Sequence, residues 1–381
     1  MQPVLDLPPA VLPQVATSLR SDVRTFLEQE RDAGSFVPDV DTWLGGFDPS
    51  FSRKLGERGW LGMTWPQQYG GHDRSALERF VVVEELLAAG APVAAHWVAD
   101  RQSGGAVLRF GTEGQRRRLV PPIARGESYW AIGMSEPDSG SDLASVRARA
   151  VRAADGWHLS GTKVWTSGAH RCHYMITLCR TDGAARDRHS GLSQFIVDLS
   201  SPGVRIRPIY LLTGEHHFNE VVLDGVLVPD DMVLGQVGDG WKQVTSELAY
   251  ERSGPERFLS TLQLLVEFLR VLSQRPDTRS LATAGQLVAQ LWSIRQLSLR
   301  VAAALDAGVA PDVEAALVKD IGTRFEQEVI EAVRQAVLHE AEPAGRFEEL
   351  LAHAVMHAPG FTLRGGTNEI LRGIVARGLG L

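Results

Sequence analysis

Val146-Arg147-Ala148-Arg149-Ala150-Val151-Arg152 alternates apolar and charged residues with a period of two, which reads as a half-buried strand. Around it, residues 174–178, 194–197 and 220–223 are short runs rich in β-branched and aromatic residues, set between Gly, Asp and Ser turns. Asp155-Gly156 is a hairpin signal between two such runs. Together these segments predict an all-β domain of about six to eight strands over residues 128–237.

On either side the period changes. Phe80-Val81-Val82-Val83-Glu84-Glu85-Leu86-Leu87 is an amphipathic helical stretch ended by Gly90-Ala91-Pro92. Residues 115–120 form a shorter one, expected to stop at Pro121-Pro122. After Gly240, residues 241–252, 286–307, 312–339 and 368–377 carry apolar residues at helical spacing. The predicted fold is α+β: an N-terminal helical domain (1–127), a middle β-barrel or sandwich domain (128–237) and a C-terminal four-helix bundle (238–381).

The 381-residue chain is 44% hydrophobic and 22% charged, ordinary for a globular protein, and its net charge of −7 argues against nucleic acid as a partner. Cys172 and Cys179 are too few for a disulfide framework and fit a reducing compartment. No uninterrupted apolar run reaches the ~18 residues of a membrane span. The start, Met1-Gln2-Pro3-Val4-Leu5-Asp6, has no signal-peptide character. A cytoplasmic location is expected.

Two tempting motifs fail on physical grounds. The segment 156–163 nearly spells a phosphate-binding loop, but its lysine comes one place late and the segment runs between strands. His170, Cys172 and His173 read as strand neighbours pointing to opposite faces, so only His170 and Cys172 would share one. His216-His217 is read the same way, and no metal site is expected.

Two other stretches carry more. Ile132-Gly133-Met134-Ser135-Glu136-Pro137-Asp138-Ser139-Gly140-Ser141-Asp142 is a strand running into a turn dense in backbone N–H groups and hydroxyls. Such a turn suits an anion or a polar heterocycle edge. Trp165-Thr166-Ser167-Gly168 pairs an aromatic platform with a hydroxyl two residues on. These stretches, with Gly366-Thr367-Asn368-Glu369-Ile370 near the C-terminus, resemble the acyl-CoA dehydrogenase flavoprotein family. Its signatures Thr/Ser-Glu-Pro-x-x-Gly-Ser-Asp, Trp-x-Thr/Ser and Gly-Thr-x-Glu-Ile recur here in order and spacing.

The resemblance implies non-covalent FAD and α,β-dehydrogenation of an acyl-CoA thioester or an acyl carrier protein conjugate. Ile132, Met134 and Ser135 would meet the flavin edge. Gly140 and Ser141 would lie by its diphosphate or the acyl-CoA, Trp165 against the isoalloxazine and Ser167 near N5. Thr367 and Glu369 would meet the cofactor's other end, and Ser141, Arg252 and Gly366 the substrate. An electron-transfer flavoprotein-like acceptor is implied, and a homodimer, homotetramer or heteromer.

The reaction needs a carboxylate to take the Cα proton. Many family members place a Glu immediately before the Gly-Thr of the last motif; here that residue is Gly365. A minority place it in an earlier helix, followed by Arg, and Tyr250-Glu251-Arg252 aligns with that site. Glu251 has no cation three or four residues away, whereas Glu256 has Arg252 four residues before it and reads as an exposed helical pair. Pro255 is expected to kink the helix at Glu251. Two family features are missing. Arg-x-x-Phe-Gly is replaced by Arg275-Pro276-Asp277-Thr278-Arg279-Ser280, and a glycine-rich loop by residues 339–345. Both bear on the cofactor of a neighbouring subunit, so a heteromeric assembly is the second expectation.

Overall fold

The computed structural model describes Leu7 and residues 9–182, 187–309, 311–337 and 345–381, with the side chains of 247–251 and 337 set aside. Among the described residues, eight strands form one sheet: β1 Trp130–Gly133, β2 Arg149–Ala153, β3 Gly156–Ser167, β4 Tyr174–Arg180, β5 Leu192–Asp198, β6 Val204–Tyr210, β7 His216–Val228 and β8 Val233–Leu234. Their order is β6-β7-β3-β2-β4-β5-β8, with β1 added parallel to β4. The Asp155-Gly156 hairpin joins β2 and β3 in antiparallel register, Ala153 opposite Gly156. β5 is buried on both faces, and Phe195, Ile196 and Val197 pack with Trp130, Ile176 and Leu159 in the core. β4 and β5 are buried almost throughout, while β6 alternates and lies at the sheet edge.

The chain forms two units. One holds residues 47–74 and 94–248, the sheet and its local helices; the other holds residues 1–46, 75–93 and 249–381. In the second, the helices Leu262–Gln274, Thr278–Asp306, Asp312–Val337, Arg346–Phe361 and Asn368–Gly378 pack on one another. Helices Gln14–Asp32 and Ala76–Ala88 join them. Glu84 and Glu85, charged residues of the second of these, are buried. Glu84 accepts from Arg20 at 2.8 Å and from Arg295 at 2.5 Å, and Glu85 from Arg24 at 2.7 Å. A buried carboxylate persists only where such donors replace water.

Several local expectations change. The helix Glu113–Ala124 runs through Pro121 and Pro122. A Thr112–Gln115 capping box holds its start, and the carbonyls that lose donors belong to Arg117 and Arg118, both exposed residues. Helices Leu262–Gln274 and Arg346–Phe361 add to the four read from periodicity, and Thr278–Asp306 starts earlier because Asp277 caps it at Ser280 N, 2.7 Å. Pro255 does not kink a helix: Gly240–Arg252 ends before it, and Pro255–Arg257 is a separate 3₁₀ turn. Glu256 is therefore 2% exposed rather than part of a solvent pair. The segment 339–345, read as a degraded loop, lies outside the described residues except Gly345.

Glu326, on Asp312–Val337, gives a pH test of this packing. Its Oε1 accepts from Ser260 N at 2.9 Å, while the buried Oε2 has no hydrogen-bond partner among the described residues. Burial pushes the carboxyl up to about 7, against the pull of Arg364 and Ser260. The folded state then keeps a proton that the unfolded chain loses near its ordinary 4.5. Stability tied to this group is full below that value and falls as pH rises through about 7. Glu326→Gln keeps the acceptor without the charge. Thermal melts should show it near neutral at pH 4.5 and stabilising at pH 8, on the order of 2–3 kcal/mol. An equal effect at both pH values contradicts this.

Candidate active site

In the sheet-bearing unit, β1 delivers Ile132 and Met134, both half-buried, into the turn after Gly133. Glu136 and Ser139 close that turn by paired backbone bonds of 2.7 and 3.0 Å, and the Ser139 hydroxyl donates to Asp142 O at 2.8 Å. Beneath it, the fully buried Lys163 of β3 donates to Met134 O at 3.2 Å and to Glu136 Oε1 at 2.8 Å. The Glu136 carboxylate also accepts from Arg147 N at 2.6 Å and Ala148 N at 2.9 Å. Burial alone would raise its pKa, but Lys163 and the two amides outweigh that and hold it below the usual range. Both residues lie inside quoted motifs or runs, yet their pairing joins positions 27 apart, which no local pattern shows.

The same pair pins β3 where Trp165 emerges. Val164 N donates to Ser135 O at 2.9 Å, and the β3–β7 register slips between Lys163 and Thr166. At that bulge Trp165 takes φ 58°, a strained value for a bulky residue, and its side chain stays 59% exposed. Thr166 points inward with a buried hydroxyl that finds no partner among the described residues, and Ser167 returns to the outer side, half-buried. Asn219 donates to Thr166 O at 2.9 Å and accepts from His170 and His216 at 3.1 and 2.7 Å. Those histidines stack at 3.8 Å, and burial, then the neighbouring His216, lowers His170 to about 4. His170 sits on a 3₁₀ turn rather than a strand, and the neighbouring His173 accepts from Tyr129 N at 3.0 Å. A strained, exposed indole beside a fixed backbone edge is what a flat heterocycle would cover. Gly140 and Ser141 lie exposed on the turn, and a Cβ at Gly140 would meet nothing within 4 Å.

In the helical unit, Arg364-Gly365-Gly366-Thr367 is held at both ends. Arg364 donates to both Asp41 oxygens, at 2.6 and 2.5 Å, and lies 4.1 Å over the Trp43 ring. Asn368 donates to Asp320 O and accepts from Thr323, both at 3.2 Å. Thr367 caps the last helix at Ile370 N, 3.4 Å, and Glu369 lies exposed in its first turn. Gly365 and Gly366 take φ 67° and 89°, which a side chain there would oppose. A Cβ on Gly365 would come within 2.7 Å of the buried Arg257 guanidinium, and one on Gly366 within 3.5 Å of Arg252. Arg257 thus fills the place where a residue-365 carboxylate would start, a role that sequence reading missed. Arg252 is buried at the end of Gly240–Arg252; the Glu251 side chain lies outside the described residues.

Family models for acyl-CoA dehydrogenase N-terminal, middle and C-terminal domains match residues 14–127, 131–226 and 238–380, in that order. The chain belongs to the acyl-CoA dehydrogenase family. Its members are flavoprotein oxidoreductases. It is 36% identical to the acyl-CoA dehydrogenase FadE34 of Mycobacterium tuberculosis over 85% of its own length and 45% of that protein's. It is 34% identical to FadE29 of the same organism, over 93% and 90%. The solved structure named "Tcur3481-Tcur3483 steroid ACAD" superimposes with a TM-score of 0.86 at 28% identity, covering 99% of both chains. The expected fold class, mixed helix and sheet with a helical C-terminal region, is met. No helix among the described residues is long and apolar enough to cross a membrane.

Proposed function

We propose that this enzyme oxidises the Cα–Cβ bond of an acyl-CoA thioester with FAD as cofactor and Glu251 as base. One observation carries the choice of base: the buried Arg257 guanidinium, which would lie 2.7 Å from a Cβ at Gly365. The more usual position holds Gly365, in a left-handed turn at φ 67° with that guanidinium against it, and supplies no carboxylate. The residues present fit FAD: the outward-facing Trp165 and the backbone edge of Ile132, Met134 and Ser135 would take the ring, with Ser167 near N5. Gly140 and Ser141 would hold the diphosphate or acyl-CoA, and Thr367 and Glu369 the cofactor's far end. Bound FAD supplies a two-electron acceptor for the hydride leaving Cβ.

The chain's own task is the proton. Glu251 takes the Cα proton as the Cα–Cβ double bond forms, and the Cα–H electron pair becomes that new bond. Arg252 and Gly366 would hold the thioester. Desolvation beside substrate would raise the Glu251 carboxyl above its ordinary range, the direction that suits a base near neutral pH. Electrons would pass on to an electron-transfer flavoprotein-like acceptor. The free Cys172 and Cys179 fit a reducing cytoplasm.

The paired components and the word steroid in the name of the 28%-identical structure favour a second reading. Here the chain would act in a heteromer on a bulky acyl group, and an acyl carrier protein conjugate would be the other substrate form. Mass spectrometry after turnover with acyl-CoAs of increasing bulk tests the reaction. The product should be lighter by two hydrogens, and no such product from the chain alone or with a co-expressed second dehydrogenase chain contradicts it.

A further inference from the structure

Two histidines on the helix Arg346–Phe361 converge on one point and are not used by the proposed reaction. His353 and His357 lie four residues apart, on one helix face, with their Nε2 atoms 3.0 Å from each other. Their rings meet edge to face at 4.5 Å. Each ring is turned by a carboxylate on its other nitrogen: His353 Nδ1 lies 3.0 Å from Asp39 Oδ1, and His357 Nδ1 lies 3.1 Å from Asp41 Oδ2. An ionised carboxylate only accepts, so both Nδ1 atoms carry the hydrogen. The Nε2–Nε2 contact is a hydrogen bond when one Nε2 is also protonated, and loss of that proton turns both lone pairs to the shared space.

Both carboxylates are themselves fixed. Asp41, fully buried, is clamped by Arg364. Asp39 accepts from Val40 N at 2.8 Å and has Arg346 3.8 Å away. Carboxylate on Nδ1 with Nε2 aimed at a common point is how metal-binding histidines are oriented and made more basic. At Zn–N distances of about 2.0–2.1 Å, nitrogens 3.0 Å apart subtend roughly 95° at a shared ion. That fits adjacent ligands of an octahedral ion, or a tetrahedral one after a small relaxation. The His353 side chain is 25% exposed, which leaves the ion a way in.

We propose that His353 and His357 bind one divalent first-row transition ion of the zinc class, with Asp39 and Asp41 orienting the ligands. Imidazole nitrogen selects such ions over magnesium or calcium. The reading is independent of FAD and of Glu251.

The test uses untagged full-length protein, stripped with chelator, loaded with Zn²⁺ or Co²⁺ and desalted, with metal counted by mass spectrometry. The wild type should keep about one equivalent per chain and melt at higher temperature when loaded. His353→Gln and His357→Gln should each weaken binding at least ~10-fold, and Asp39→Asn by ~10-fold while leaving both ligands in place. His170→Gln, in the sheet-bearing unit, should change nothing. If His357→Gln does not fold, the partly exposed His353→Gln carries the comparison. A wild type that retains no metal overturns the proposal and leaves the pair sharing a proton; so does undiminished binding by the folded His353→Gln variant.

Discussion

Glu251→Gln should purify with its flavin and lose substrate-driven flavin reduction by at least ~10²-fold. The glutamine keeps size and hydrogen bonding but cannot accept the Cα proton, so binding survives while the step that starts oxidation does not. The two neighbouring carboxylates make the comparison sharp. Glu247 lies one helical turn earlier, and removing its charge should lower the pKa of the base and move the pH profile towards acid without stopping turnover. Glu256 is buried on the 3₁₀ turn with Arg257 3.8 Å away, so Glu256→Gln should show its effect in stability first. Stopped-flow traces of the three variants separate these outcomes. Wild-type reduction by Glu251→Gln would place the base elsewhere.

Glu136→Gln should cost about 3–5 kcal/mol of stability, because it leaves Lys163 charged and fully buried with its anionic partner gone. The same change weakens the acceptor for the Arg147 and Ala148 amides, so the turn carrying Gly140 and Ser141 should loosen and flavin affinity fall with it. Replacing both partners, Glu136→Gln with Lys163→Met, should cost less than Glu136→Gln alone, since no unpaired charge then remains. Denaturant unfolding of the singles and the double gives the coupling directly. The wild-type pair also sets a pH direction. The Glu136 carboxyl is held below its ordinary 4.5. Its contribution is therefore full above that value and is lost as pH falls through the lower folded-state value. Equal stability of wild type and Glu136→Gln at pH 7 would remove the pair from this account.

Strands such as β4 and β5 were legible because their burial writes itself into every residue, and helices such as Asn368–Gly378 because Thr367 and the apolar stripe mark them. The helix Arg346–Phe361 was not, since His357 sits on its buried face and His353 beside it, with partners distant in sequence, and Pro359 falls inside it. The candidate site divides the same way. Trp165 and Ser135 stand in local motifs. Arg257 against Gly365, Lys163 beneath Glu136 and Asn219 behind Thr166 are tertiary pairings, each between residues too far apart for periodicity to join. Pro255 shows the reverse failure: read alone it predicts a kink, but with Gly254 beside it the helix stops at Arg252.

The most direct measurement is the visible spectrum of the purified full-length protein, alone or co-expressed with a second dehydrogenase chain, before and after anaerobic addition of acyl-CoA. The protein should be yellow, with a flavin band that bleaches with substrate in the wild type and persists in Glu251→Gln. A colourless protein that takes up no FAD in either form would contradict this.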